Sequence, residues 1–219
     1  PLVNDNLVEQ PEFFKFNFSK LNAGVAGTTT YNLNYSPVDL SGLTLVSGVA
    51  ETANAIYKKT NAITISGQSL DATVKLVGLS NVTSNNFALD DDATNPASFQ
   101  PQIDASSGAS YVDFEVRFYL TGTSTLVSVQ NFYVSAVDVD GSSSSLREYV
   151  EVGNIGNYQV DANTGLTVSS GYATGFTKFL GLTSSLNGIV FENTASFIAN
   201  YTVPVSVIPF RMGVTAASG

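Results

Sequence analysis

The 219-residue sequence predicts an all-β protein, an antiparallel β-sandwich of jelly-roll or immunoglobulin-like type with minimal helix. Three observations predict it. Apolar side chains recur at every second residue through most of the chain, the period of a strand with one buried face. Short runs of this kind are separated by turn glycines, among them Gly24, Gly27, Gly42, Gly67, Gly108, Gly122, Gly141, Gly165 and Gly188. No segment carries the 3.6-residue apolar repeat of an amphipathic helix.

Taken in order, Phe14, Phe16 and Phe18 alternate with Lys15, Asn17 and Ser19, and Tyr31, Leu33 and Tyr35 repeat the pattern. Strands are expected at 43–49, 62–65 and 70–77. The clearest strand is 111–119, where Val112, Phe114, Val116 and Phe118 face one way and Asp113, Glu115 and Arg117 the other. Further strands are expected at 127–139, 146–152, 158–160, 172–179, 196–203 and 205–212. Pro204 and Pro209 donate no ladder hydrogen bond, so they read as an edge, a bulge or a strand changing sheets. Residues 1–20 read as an amino-terminal arm or strand able to pair with a neighbouring subunit, and 21–219 as one sandwich domain.

Composition excludes several function classes. A hydrophobic content of 43% with 14 Phe and 10 Tyr supplies a packed core. The chain has no His, no Cys and no Trp, which removes a Ser-His-Asp triad, a thiol nucleophile, zinc on its usual ligands and haem. Nine basic against 18 acidic residues, a net charge of −9, argue against nucleic-acid binding. No apolar run approaches the roughly 20 residues of a membrane helix. An acidic, disulfide-free chain rich in Thr, Ser, Asn and Gly reads as extracellular or cell-surface, and its start at Pro1 fits either a removed leader or a fragment.

One motif carries ligand chemistry. Ala136-Val137-Asp138-Val139-Asp140-Gly141, followed by Leu146-Arg147-Glu148-Tyr149-Val150-Glu151, gathers hard carboxylate oxygens around a turn glycine, as a calcium loop does. Asp138 and Asp140 lie on one side of an extended segment, and Glu148 or Glu151 supplies a further carboxylate. Asp90, Asp91 and Asp92 form a second acidic cluster, and Asp90 and Asp92 join the candidate Ca2+ ligands if that loop folds over the first. The alternative is an acidic turn whose oxygens accept backbone N–H groups. Arg147 is a candidate counter-ion for these carboxylates. Tyr111, Tyr119, Tyr133, Tyr149, Tyr158 and Tyr172 are candidates for a sugar-stacking platform, with cross-strand packing as the alternative. Asn17, Asn81 and Asn200 head glycan-acceptor triplets.

The stretches Phe99-Gln100-Pro101-Gln102-Ile103, Tyr111 to Phe118, Ala136 to Gly141 and Leu146 to Glu151 resemble a module of large secreted adhesin-like surface proteins of flavobacteria and other aquatic bacteria. The resemblance spans about residues 62 to 160, with an echo at Pro209-Phe210-Arg211-Met212-Gly213. It implies a surface β module without catalysis.

The leading expectation is a non-enzymatic structural or adhesive surface protein that self-associates, a filament subunit built by strand donation and stiffened by calcium. Phe13, Phe14, Phe16 and Phe18 would seat in a neighbour's core. The alternatives are a carbohydrate-binding jelly roll, with glycans or other surfaces as partners, and a viral coat or decoration protein. An enzyme ranks last: nothing in the spacing of Asp113 or Glu115 with Glu148 demands the carboxylate pair of a glycosidase, and no residue is assigned a catalytic role.

Overall fold

The structure is a computed structural model that describes residues 13–18 (as backbone), 29–33, 38–82, 87–90, 99–103, 108–186 and 192–215. The strands run in chain order as β1 (Phe13–Phe18), β2 (Thr30–Asn32), β3 (Thr44–Ser47), β4 (Ile56–Ile65), β5 (Gln68–Ser80), β6 (Phe87–Ala88), β7 (Gln102–Ile103) and β8 (Ser110–Leu120). They continue as β9 (Leu126–Gln130), β10 (Phe132–Val137), β11 (Glu148–Gly153), β12 (Asn157–Val160), β13 (Thr167–Ser170), β14 (Phe176–Leu180), β15 (Phe197–Tyr201) and β16 (Ile208–Val214). Helix among the described residues is one 3-10 turn, Asn193–Ala195. The all-β expectation holds.

Two sheets carry the core. The larger runs β13-β14-β11-β16-β8-β5-β4-β3, and the smaller runs β1-β10-β15-β12. Neighbours along both paths are antiparallel. β9 branches off β8 and pairs in parallel with β2. Alternation explains the layering: Val112, Phe114, Val116 and Phe118 of β8 are buried, as are Phe132, Val134 and Ala136 of β10 and Phe197, Ala199 and Tyr201 of β15. Phe114 and Phe210 stack with centroids 4.8 Å apart, and Phe99 meets both edge-on. Phe179 of the large sheet stacks on Phe197 of the small one, and the Tyr201 hydroxyl crosses between the sheets to donate to the Gly153 carbonyl at 2.8 Å.

Three local expectations change. The run 127–139 is two strands, because Asn131 takes a left-handed backbone (φ 54°) that sends β9 to one sheet and β10 to the other. Pro209 lies in central strand β16, at the point where the β11 ladder has already ended at Val152↔Phe210, so no donor is lost on that side. Tyr172 belongs to a turn before β14, and Thr167–Ser170 is an additional edge strand.

Of the arm, β1 pairs with β10 of its own chain, from Phe13↔Val137 to Phe18↔Phe132. Residues 1–12 and 19–20 lie outside the described residues, as do the side chains of Phe13, Phe14, Phe16 and Phe18.

Candidate functional site

The acidic loop closes on protein donors. β10 ends at Val137, and Asp138 turns the chain with φ 63°, a left-handed conformation that a short polar side chain tolerates. The glycine expected to make that turn does something else. Gly141 lies where a Cβ would sit 2.6 Å from the Leu146 carbonyl oxygen and 2.7 Å from that of Leu182, so it permits close backbone approach. Asp140 is 4% exposed, and the Leu186 backbone N–H donates to its Oδ2 at 2.5 Å. The Asp140 N–H in turn donates to Glu148 Oε2 at 3.3 Å, and the Glu148 N–H donates to the Asp140 carbonyl at 2.8 Å.

The structure thus brings Asp140 and Glu148 together, with Asp138 two residues upstream and buried. Asp90 accepts an N–H from Gln100 at 3.3 Å beside the small β6–β7 pair, and Asp91 and Asp92 lie outside the described residues. Among the described residues no three acidic side chains gather closely enough to hold a metal ion. Arg147 does not face the carboxylates. Its guanidinium donates to the Gly181 carbonyl, through Nε at 2.7 Å, and to Thr167 Oγ1 at 3.3 Å, tying the start of β11 to β13 and the end of β14.

Burial pushes the Asp140 carboxyl above its usual range, with the Leu186 N–H pulling the other way. The sign follows: the native state favours the protonated form, so Asp140 costs stability as pH rises through the carboxylate range. Asp140→Asn, which keeps an acceptor for Leu186 and removes the charge, is expected to leave urea-unfolding stability at pH 7 unchanged or raised by up to about 1 kcal/mol. A clear loss would mean that the charge itself has a partner, such as a cation.

A second constellation takes up Glu151, the alternative to Glu148 as a ligand in the acidic loop, and joins four strands. On the outer face of the large sheet, Lys178 (β14), Glu151 (β11), Arg211 (β16) and Asp113 (β8) stand in one cross-strand row of alternating charge. Arg211 donates through Nε to Asp113 Oδ1 at 2.6 Å and through Nη2 to Oδ2 at 2.9 Å, a bidentate fork. Lys178 Nζ is 3.6 Å from Glu151 Oε1, and the Tyr172 N–H donates to Glu151 Oε2 at 2.5 Å. The Arg211 guanidinium is sandwiched between Tyr111 and Tyr172, 3.6 Å from each ring centre, and Lys178 lies 3.7 Å from the Tyr149 ring.

Three of the six candidate tyrosines therefore meet here; Tyr119, Tyr133 and Tyr158 lie elsewhere. Burial lowers the Arg211 pKa, but the Asp113 hydrogen bonds and charge outweigh it and raise the net value. Burial, chiefly, pushes the Tyr149 hydroxyl up to about 12 and raises Tyr172, so both are neutral at pH 7. With each charge matched on its neighbour, the face suits stiffness and recognition better than proton transfer. Alternation in β16 is the signal that could have found it, since Ile208, Phe210 and Met212 are buried and Arg211 faces outward between them.

No family model matches the sequence, and no curated protein matches it. Among solved structures the chain is similar to the N-terminal domain of the Streptococcus gordonii adhesin Sgo0707, with a TM-score of 0.47 and 14% identity. The alignment covers 80% of this chain and 51% of that one, so the chain spans about half the length of that structure.

Proposed function

We propose that this chain is a non-enzymatic structural and adhesive module of a secreted or cell-surface protein, whose copies join by continuing one β-sheet from molecule to molecule. One observation above all supports the reading: among the described residues no strand pairs with the outer side of either end strand of the large sheet, and neither end strand is charged. β3 lies within Gly42-Leu43-Thr44-Leu45-Val46-Ser47-Gly48, and β13 within Gly165-Leu166-Thr167-Val168-Ser169-Ser170-Gly171. The two segments share Gly-Leu-Thr at the start and Ser-Gly at the end, and neither holds the lysine or proline that usually guards an edge. Leu45 and Val46 are 42% and 55% exposed. The irregular register between Leu45 and Ser47 confines regular pairing to a short run.

Strand direction and charge favour a second copy as the occupant. Every step from β3 to β13 is antiparallel, so the two edges run in opposite directions. A copy shifted across the sheet meets β3 with its β13 antiparallel, the pairing already used inside the sheet, and repeated addition leaves open ends. At a net charge of −9, copies repel except where uncharged strips meet. The carboxylates considered for hydrolysis are engaged otherwise: Asp113 by Arg211, Glu115 by Arg117 at 2.9 Å and Glu148 by the Asp140 N–H. Among the described residues no helix is long and apolar enough to cross a membrane.

The test is the mass distribution by sedimentation over a concentration series, with electron microscopy of the same samples. The natural sequence is expected to grow into open-ended polymers, and Val46→Lys with Ser170→Lys to remain monomeric at unchanged Tm. Persistent monomers of the natural sequence, or polymers unaffected by the lysines, would overturn it. Deleting residues 1–20 separates the two routes, since strand donation requires that polymers vanish and edge continuation that they persist. Calcium belongs to the proposal as a stiffener of the 138–148 loop. It requires a Tm that rises with calcium, falls with a chelator and loses this response in Asp140→Asn.

A further inference from the structure

The outer face of the small sheet holds a groove of about 330 Å³, within the size range of small-ligand sites. Its floor is a register row in which Ile198 of β15 lies between Ser135 of β10 and Gln159 of β12. Tyr133 and Val137 wall it on the β10 side, and Asp161 and Asn193 reach it from the turns that follow β12 and precede β15. The lining joins the apolar Ile198, Val137 and Tyr133 ring to the polar Gln159, Asp161 and Asn193. Asp161 is held in place because its Oδ1 accepts the Asn163 N–H at 2.8 Å while its carbonyl accepts the Thr164 N–H at 3.0 Å. The side-chain amides of Gln159 and Asn193 have no hydrogen-bond partner among the described residues and are exposed to solvent.

This donor and acceptor set selects a ligand class. Among the described side chains that line the groove the charged one is Asp161, a carboxylate, which disfavours a phosphate, sulfate or uronate there. One carboxylate already shared with an N–H is a poor seat for a bare cation. Ile198 beside the Tyr133 ring offers apolar surface to the C–H face of a pyranose, while two amides and a carboxylate of the lining can each bridge neighbouring hydroxyls. We propose that the groove bounded by Tyr133, Ile198, Gln159, Asp161 and Asn193 binds a neutral oligosaccharide. The site lies on the other sheet from β3 and β13 and is independent of the self-association reading.

The full chain is tested on a panel of neutral gluco-, manno- and galacto-configured di- to tetrasaccharides, with sialylated and uronate-bearing glycans as charged comparators. Hits are titrated by calorimetry. Binding is expected for a neutral member and weakened about tenfold or more in Gln159→Ala/Asn193→Ala, because those amides lose bonds made only to ligand. Both side chains are exposed, so the Tm of this variant stays unchanged. Tyr172→Ala, on the opposite sheet, leaves the affinity as it was. Absence of neutral binding, binding confined to the charged glycans, affinity unaltered in the double variant, or loss of affinity in Tyr172→Ala would each overturn the proposal.

Discussion

Replacing Asp71 by alanine is expected to lower stability by about 3–5 kcal/mol, because it strips one buried carboxylate from four donors at once. Asp71 is 0% exposed. Its Oδ1 accepts the Asn61 N–H and the Thr121 hydroxyl, both at 2.9 Å; its Oδ2 takes the Gly122 N–H at 3.4 Å and Lys58 Nζ at 2.7 Å. Asn61 sits in the irregularity of β4, at φ 54°, and Thr121 and Gly122 belong to the turn between β8 and β9. The carboxylate thus holds a bulge and a turn that belong to different hairpins. In a chain of this size the loss corresponds to a Tm lower by roughly 10 °C. Thermal and urea unfolding measure it, and a loss under about 1 kcal/mol would mean that water replaces the carboxylate.

The same residue makes a pH prediction of opposite sign to that for Asp140. Burial alone would raise the Asp71 pKa, but the Lys58, Asn61, Thr121 and Gly122 hydrogen bonds outweigh it and hold the carboxyl at about 2. A depressed native value contributes stability that is fully present above the unfolded value of 3.8 and is lost as pH falls through about 2. The contribution is about 2 kcal/mol. Urea unfolding at pH 5 and pH 2.5 should show a steeper acid loss in the natural protein than in Asp71→Asn.

How much was legible in the sequence follows from which interactions are local. Alternation in residues 111–119 is written residue by residue, so β8 and its buried face emerge without the fold. Gly141 and the acidic residues around it mark a loop for the same reason. Partners across strands are not written this way. Arg211 lies 98 residues from Asp113 and reaches it only through the β16–β8 register. Arg147 looks like a counter-ion beside Glu148, yet its guanidinium reaches Gly181, 34 residues on. Asn131 escaped because one left-handed residue divides a run whose apolar pattern continues across it. β13 escaped because an edge strand of Thr, Val and two Ser buries little and carries almost no apolar signal.

Arg211→Ala is the second large expected effect, about 3 kcal/mol, and its reason separates charge from packing. The side chains of the Arg211–Asp113 pair are 11% and 18% exposed, so removing the arginine leaves a largely buried carboxylate without its fork. It also empties the space between the Tyr111 and Tyr172 rings. Arg211→Lys restores the charge without the planar fork or the stack, so about half the loss should remain. Removing both charges together, as Arg211→Met with Asp113→Leu, leaves no orphaned ion and should recover most of the stability. If the double variant is as unstable as Arg211→Ala, the tyrosine sandwich holds the face together. If it recovers, the carboxylate was the main liability, and Tyr172, which keeps its N–H on Glu151, should stay in place with the ladder shortened by one pair.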